Sequence, residues 1–394
     1  MSRALIPTRT YLIPLLGSLV AFGPMSIDMY LPALVQMTQN LNASQAQMQY
    51  TLSAFFVGFC ISMLVYGPLS DTIGRRRLLI GGLLIFVISS VLCAFANNVE
   101  FLIVLRFFQA FGSSAAIVMA RAVARDLFNP DELPKAMSLM TLVTMIAPLI
   151  APTLGGYILY FFDWRAIFIA LAIYGLLALV FTFTLLPESL STKSQAQGIF
   201  KTAIFNYADL LKSPDAMGII GTFAFSFGAM FAFIAGSPFV YIEYFHVKEQ
   251  HYGYLFFLNV LAMIVVLLIN VRLLKHFALR QILFYQTSFQ LIAGISLFIL
   301  NQSNIYVVVS LIVMFISMTN AIGANSLSLL LKHRGQMAGS ATALAVSAQF
   351  ALGGLASFLV SILQDDSPYA MALVMALFAL LSFLHQFMVR AQKH

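Results

Sequence analysis

Two charged side chains lie deep inside long apolar stretches of the sequence. Asp28 is in the segment FGPMSIDMYLPAL, and Arg106 is at the start of the segment LRFFQAFGSSAA. A charge at the middle of a bilayer costs about 2.5–3.5 kcal/mol on insertion scales, so such residues are rare and usually functional. A low dielectric disfavours the ionised form of an acid, so an acid there is suited to bind and release a proton. The two residues predict proton coupling, with Asp28 as the carrier and Arg106 as its partner.

Each of the two residues also has a structural explanation. Asp28 as a capped acid would hold two helices in register, and Arg106 would clamp backbone carbonyl groups. Pro24 and Pro32 favour the transport role of Asp28, because each lies four residues away and removes a backbone donor. Broken helices at membrane depth face protein or a wet cavity, so we expect a break in the helix near Asp28.

These residues need a scaffold that spans a bilayer, and the composition predicts one. Of 394 residues, 61% are hydrophobic and 9% are charged, whereas about 25% are charged in an ordinary soluble domain. About 20 apolar residues cross a bilayer as a helix. Twelve stretches meet this length, at 11–35, 47–66, 78–96, 99–121, 135–159, 165–186, 215–240, 252–272, 281–300, 305–331, 337–363 and 369–389. The predicted fold is an all-α polytopic membrane protein, with 12 transmembrane helices in two pseudo-symmetric six-helix bundles.

The longest polar segment divides these spans into two sets of six. We expect an N-terminal bundle at 1–188, a cytoplasmic linker at 189–214 and a C-terminal bundle at 215–394. Transporters built from such repeats bind their substrates near the midplane, between the repeats. The loops are too short for a soluble catalytic domain, and the spans contain no cluster of His, Cys, Asp or Glu. We therefore expect a protein that is not an enzyme and that needs no metal and no organic cofactor.

The basic residues predict the orientation of the chain in the membrane. With both termini in the cytoplasm, 18 of the 21 Lys and Arg residues fall on the cytoplasmic side, as the positive-inside rule requires. The net charge of +7 is then anchoring charge at the inner leaflet, and it does not indicate a nucleic-acid partner.

Aromatic and methionine side chains are the candidates for a substrate pocket. The chain has 37 Phe, 15 Tyr and 19 Met, and flexible apolar pockets suit promiscuous binding. This composition favours drug-like molecules over sugars. The predicted contacts are Phe22, Tyr30, Phe55, Phe56, Phe227 and Phe231, together with Gln109 in the polar stripe of Arg106.

The fifth span contains the small-residue segment APTLGGYI. Ala151 and Gly155 lie four residues apart, as do Pro152 and Gly156, so they form two adjacent stripes on a helix. Small residues are common where membrane helices pack closely. The added prolines favour a conformational role over packing alone.

Several of these segments resemble the major facilitator superfamily. The segment GPLSDTIGRRRLL is similar to that superfamily's loop between the second and third helices, and the matching positions include Gly67, Asp71, Gly74, Arg75, Arg76 and Arg77. The segment around Arg106 resembles the fourth-helix motif, with Ala110 in place of a glycine, and APTLGGYI resembles the antiporter motif, with Ala151 in place of its first glycine. SIDMYLPAL and the PES at Pro187–Ser189 resemble the bicyclomycin and chloramphenicol resistance (Bcr/CflA) branch of drug:proton antiporters.

The resemblance implies a monomeric exporter of drug-like molecules in the bacterial inner membrane, which exchanges its substrate for protons by alternating access. The loop motif would act as a conformational gate, and Arg125 is the candidate partner of Asp71. Three alternatives remain open: an exporter of an endogenous metabolite or siderophore, a nutrient uptake symporter, and an uncoupled channel. The antiporter-type segment disfavours uptake, and the isolated polar residues disfavour a channel.

Overall fold

A computed structural model describes residues 12–129, 131–189, 199–365 and 367–388. Within these ranges all regular structure is helical, and 12 helical segments are long and apolar enough to cross a membrane. The predicted fold class is confirmed. The first six spans are α1 to α3 (Leu12–Val20, Phe22–Asp28 and Leu34–Asn40), α4 (Gln45–Ile73), α5 (Arg75–Ala94), α6 (Val99–Leu127), α7 (Leu133–Phe161) and α8 (Trp164–Leu185). A linker helix α9 (Ile199–Lys212) follows, and then α10 (Pro214–Pro238), α11 (Glu249–Leu273), α12 (Leu279–Ile299), α13 and α14 (Ile305–Ser317 and Thr319–His333), α15 (Ala338–Ile362) and α16 (Tyr369–His385).

Several helices continue beyond the ends that hydropathy predicts. The second apolar stretch stops at 66 and the fourth at 121, but α4 ends at Ile73 and α6 at Leu127. The extra turns carry polar side chains, so they remain helical outside the apolar layer. At its other end, α4 begins with a capping box in which Ser44 and Gln47 satisfy each other's backbone N–H groups.

The first span is broken on both sides of α2, as its two prolines predict. The chain turns at Ala21, forms the seven residues of α2, and continues through a short 3-10 turn at Leu31–Ala33. Pro32 lies at the start of that turn, where its missing N–H is tolerated. Asp28 is the last residue of α2, so the break places the acid beside backbone that is free of regular helical bonding.

The spans pack within each set of six and also across the two sets. In the first set α6 packs between α4 and α5, and in the second set α10 packs against α14, α15 and α16. The principal contacts across the two sets join α4 to α15 and α7 to α11. The bundle boundaries at 188 and 215 stay a prediction, and residues 190–198 of the predicted linker, like residues 1–11 and 389–394, lie outside the described residues.

The two ends of the helix assembly differ. We call the end that carries Arg75–Arg77, Arg121 and α9 the basic end, and the other the opposite end. At the opposite end the two sets of spans are joined by hydrogen bonds, from Gln45 Nε2 to Glu243 Oε2 at 2.8 Å and from Ser357 Oγ to the Gln49 carbonyl at 3.3 Å. At the basic end a cavity of about 850 Å³ separates them. The structure is therefore open at the basic end and closed at the opposite end.

Candidate functional site

Asp28 lies at the boundary between the two sets of spans. Asp28 is only 5% exposed, and its carboxyl group is close enough to Tyr252 of α11 for an electrostatic interaction. The Tyr252 hydroxyl shares a 2.7 Å hydrogen bond with Ser237, and the buried Tyr241 hydroxyl has no hydrogen-bond partner among the described residues. The acid of the first set thus interacts with Tyr252 of the second set, whose hydroxyl is hydrogen-bonded to Ser237.

Arg106 is fully buried on α6, and its guanidinium lies against aromatic rings. The guanidinium carbon is 4.5 Å from the ring centre of Tyr30 and 4.3 Å from that of Phe55. Its Nη1 donates to Gln109 Oε1 at 2.5 Å and to the Ser26 carbonyl at 3.1 Å. Cation–π contacts contribute about 2 kcal/mol or more when they are desolvated. The rings and the two hydrogen bonds therefore stabilise this buried charge.

The structure does not bring Asp28 and Arg106 together as an ion pair. Arg106 instead holds the carbonyl of Ser26, two residues before Asp28 in the last turn of α2. A carbonyl in the last turn of a helix has no donor within the helix, so the break in the span leaves it available to the arginine. In this state Arg106 contacts the segment that carries Asp28, and it does not contact the carboxylate.

The seven predicted substrate contacts are packed away from the cavity in this state. Phe22 packs on Phe86 and Tyr174, Tyr30 and Phe55 cover Arg106, and Gln109 donates to Ser90 at 2.8 Å. Phe227 packs on Phe223, and Phe56 meets Phe231 across the two sets, with ring centres 4.4 Å apart. Phe231 and Phe59 both contact Phe350. The rings of Phe56, Phe59, Phe231 and Phe350 fill the space between α4, α10 and α15. They close the inner end of the cavity, so the cavity does not extend past them.

The antiporter-type segment of α7 lies against both the broken span and the second set. A Cβ on Gly155 would overlap the carbonyl oxygen of Met29, the residue after Asp28. A Cβ on Gly156 would lie 2.9 Å from the carbonyl oxygen of Glu249 at the start of α11. Ala151 and Pro152 are buried on the same helix. The segment therefore allows close contact at the place where Asp28 approaches the second set.

The loop motif forms an ion-pair network at the basic end. Arg75 Nη2 lies 2.6 Å from Asp71, and its Nε lies 3.1 Å from Asp126 near the end of α6. Arg75 also donates to Ser70. The predicted partner Arg125 is therefore not the ion-pair partner of Asp71 here. Asp71 pairs instead with Arg75, which lies four residues along the chain. Gly67 and Arg125 line the cavity.

Glu188 of the PES segment holds the start of α5. Its Oε1 accepts from the backbone N–H of Arg75 at 2.9 Å, and a carboxylate at a helix N-terminus is stabilised by the helix dipole. Gly74 has a φ of +104°, and a Cβ there would lie 2.6 Å from Glu188 Oε2. This contact explains why a glycine precedes the arginines. Arg76 lies near Phe183 with 5.3 Å to the ring centre, and Arg77 is exposed.

Sequence reasoning missed several residues that the structure brings to these places. Tyr252, which interacts with Asp28, comes from α11, and Asp126 comes from the end of α6. No spacing in the sequence connects them to Asp28 or Arg75. Glu188 belongs to a recognised segment, but the segment gives it no role. Arg121 lines the cavity with Arg125, and their spacing of four residues is the signal in the sequence that could have paired them.

Comparisons with known proteins agree with this architecture. The sequence model of the Major Facilitator Superfamily matches residues 16–358. A bicyclomycin resistance protein homolog of Haemophilus influenzae is 32% identical over 371 residues, which cover 94% of this chain and 93% of that protein. The multidrug resistance protein MdtL of Escherichia coli is 35% identical over 172 residues, which cover 44% of each chain. The resemblance seen in the sequence motifs is confirmed.

Solved structures show the same fold. The crystal structure of a mutant of the nucleoside transporter NupG superposes with a TM-score of 0.76 over 96% of this chain and 99% of that one, at 14% identity. The chain is a multi-pass membrane protein of the transporter type. From its helices, its motifs and these relatives together, we conclude that it belongs to the Major Facilitator Superfamily.

Proposed function

We propose that this protein exports drug-like molecules across the bacterial inner membrane in exchange for protons. Asp28 is the proton carrier, Arg106 is its partner, and the basic end with both termini faces the cytoplasm. The position of Asp28 carries the proposal: a buried acid at a helix break, close enough to Tyr252 of the opposing set of spans for an electrostatic interaction. The names of the Haemophilus influenzae and Escherichia coli relatives, which refer to bicyclomycin and multidrug resistance, support drugs as the substrates.

The transport cycle couples the proton to the closure at the opposite end. When that end is open, a proton from outside neutralises Asp28, and the neutral acid packs against Tyr252 as the two sets of spans close. The protein then has the form with the cavity open at the basic end. A drug that enters from the cytoplasm favours loss of the proton to that side, and the sets rock back.

Arg106 connects the proton to the backbone. Its guanidinium donates to the Ser26 carbonyl in the turn of α2 that ends at Asp28. A change in the charge of Asp28 therefore changes the electrostatic potential at a turn that Arg106 contacts. Each inward proton is driven by the pH gradient and by about 2.3 kcal/mol per 100 mV of membrane potential. One buried acid in the first span implies one proton per cycle, which suffices to expel a neutral drug against its gradient.

Drug accumulation in everted membrane vesicles tests this function. We expect wild-type protein to accumulate chloramphenicol or bicyclomycin when the vesicle interior is acidified, and a protonophore to abolish this accumulation. Asp28→Asn should remove the gradient-driven accumulation, because an amide cannot carry a proton.

Asp163→Asn is the matched control. Asp163 caps the start of α8 at an exposed position, where its side chain accepts from the Arg165 N–H at 2.9 Å, and asparagine caps helices equally well. This variant should transport like the wild type. Gradient-driven accumulation that survives Asp28→Asn unchanged would refute Asp28 as the carrier.

A further inference from the structure

The cavity at the basic end carries an excess of positive charge. Its lining includes one carboxylate, from Asp71, and three guanidinium groups, from Arg75, Arg121 and Arg125. Asp71 and Arg75 neutralise each other at 2.6 Å, and Arg75 is bound further by Asp126. Two guanidinium groups are left over, those of Arg121 and Arg125.

Arg121 and Arg125 lie on one face of α6, one turn apart. Both residues are exposed, and both line the cavity that separates the two sets of spans. Neither forms an ion pair with a carboxylate within the part of the chain that the structure describes. Arginines that only anchor a membrane protein face the lipid headgroups, whereas these two face the space between the halves.

The wall opposite the two arginines is polar but uncharged. It is formed by α9 and the start of α15, where Asn206 Nδ2 donates to Ser340 Oγ at 3.2 Å. Burial raises the pKa of Tyr207, so its phenol stays neutral and remains a hydrogen-bond donor. Among the described residues, this wall has no carboxylate to compete for the arginines.

The inner part of the same cavity is apolar. Met63, Ile117 and Val346 line it below the rings of Phe59 and Phe350. A volume of about 850 Å³ is within the range of drug-binding pockets. The cavity thus offers an apolar chamber beside the guanidinium groups of Arg121 and Arg125, an arrangement that matches a molecule with an apolar body and one anionic group.

We propose that Arg121 and Arg125 bind the anionic group, a carboxylate or phosphate, of an amphiphilic molecule whose apolar body fills this cavity. The inference rests on the proposed export function and assigns it a substrate class: amphiphilic anions bind at the basic end in preference to neutral analogues, and cations are disfavoured. A phospholipid headgroup carries the same chemistry as a free solute anion, and binding in membranes of different lipid composition separates these two sources.

The test compares chloramphenicol with its hemisuccinate ester, which carries one added carboxylate on a short acyl chain. Their binding is measured by equilibrium dialysis against the purified full-length protein in phosphatidylcholine nanodiscs, without any proton gradient. Wild-type protein should bind the hemisuccinate about tenfold more tightly than chloramphenicol, because hydrogen bonds to a charged group are stronger than those between neutral groups. Arg121→Gln and Arg125→Gln should each remove most of this preference, and Arg121→Lys should retain part of it.

Arg272→Gln is the matched control, because Arg272 is exposed near the end of α11 and does not line the cavity. This variant should keep the full preference. Size-exclusion profiles and thermal unfolding of each variant show whether it is folded. Nanodiscs with phosphatidylglycerol identify the source of the anion. If this lipid lowers the affinity for the hemisuccinate, and the effect depends on Arg121, the site binds a lipid headgroup. If the affinity is unchanged, the site binds a solute.

Wild-type protein that binds the hemisuccinate no more tightly than chloramphenicol, or that binds neither, overturns the proposal. So does a preference that persists in folded Arg121→Gln and Arg125→Gln proteins. Asp28→Asn can change the affinity for both compounds together, because proton and drug binding are coupled, but it should keep the preference for the hemisuccinate, which depends on Arg121 and Arg125. A failure of proton-driven transport is therefore distinguishable from a failure of the anion site.

Discussion

Arg106 is buried without a carboxylate beside it, although proton antiport predicts an acid as its partner. Among the described residues, its charge is stabilised by the rings of Tyr30 and Phe55, by Gln109 and by a carbonyl at the helix break. Its Nε and Nη2 atoms have no hydrogen-bond partner in this part of the chain. The unused N–H groups of these two atoms leave the buried cation able to bind a further acceptor, and we propose that in another state of the protein this acceptor is Asp28 or a substrate.

Arg106→Lys should reduce drug efflux about tenfold or more. The planar guanidinium bonds Gln109 and Ser26 while it lies between two rings, and a lysine ammonium does not reproduce this geometry. Initial rates in everted vesicles measure the effect. Arg165→Lys is the control, because Arg165 also stacks on an aromatic ring, 4.3 Å from that of Trp164, but is partly exposed. Equal rates for wild type and Arg106→Lys would show that the charge alone matters.

At the scale of elements, the broken first span and the small face of α7 form one unit. The break exposes the Met29 carbonyl beside Asp28, and Gly155 lets α7 lie directly on it. On the next residue, Gly156 meets the start of α11. The helix that packs on the backbone next to the acid therefore also contacts the second set of spans. We propose that protonation of Asp28 acts on the closure at the opposite end through this helix.

Gly155→Ala should lower both transport and thermal stability. Alanine is favoured over glycine in a helix interior by about 1 kcal/mol, but its methyl group would overlap the Met29 carbonyl and push α7 away from the first span. Thermal unfolding and vesicle transport measure the two effects. Gly81→Ala is the same substitution on α5 at a position where a Cβ meets no atom within 4 Å. It should leave both properties unchanged or raise stability, and a Gly155→Ala protein that behaved identically would exclude a role for the close contact.

In the whole molecule, one end of the helix assembly is closed and the other is open. The opposite end is sealed by contacts between distant parts of the chain, such as the stacked rings of Tyr50 and Phe358, 5.7 Å apart. At the basic end the cavity lies between the two sets of spans. The ion pairs of Arg75 join residues of the first set only. We propose that the two sets, 1–188 and 215–394, move as two bodies that exchange these states.

A short thiol cross-linker should join Gln45→Cys to Glu243→Cys and stop transport. The two native side chains are hydrogen-bonded at 2.8 Å across the sealed end, so a link between them would prevent that end from opening. The native Cys60 and Cys93 are both free thiols and are replaced first. Transport before and after reduction of the link is the readout.

Val118→Cys with Ala343→Cys is the matched pair at the basic end. These residues line the cavity from α6 and α15, so the same reagent should join them poorly when no substrate is present. Efficient cross-linking of this pair, or full transport by the linked Gln45–Glu243 pair, would contradict two alternating states.

Hydropathy, prolines and motifs were enough to predict the twelve spans, the break of the first span near Asp28 and the family. Insertion into a bilayer depends on the hydropathy of about 20 consecutive residues, and a proline acts on its own turn, so these properties are local to the chain. The structure was needed to show which residues face Arg106 and Asp28, that Arg75 rather than Arg125 binds Asp71, and that the cavity lies at Arg121 instead of at the predicted aromatic residues. The Asp71–Arg75 pair is local, but Asp126, which also binds Arg75, is 51 residues away from it. The surroundings of Arg106 and Asp28 and the position of the cavity likewise depend on contacts between residues distant in sequence, and on which state the protein occupies, so no single stretch of sequence predicts them.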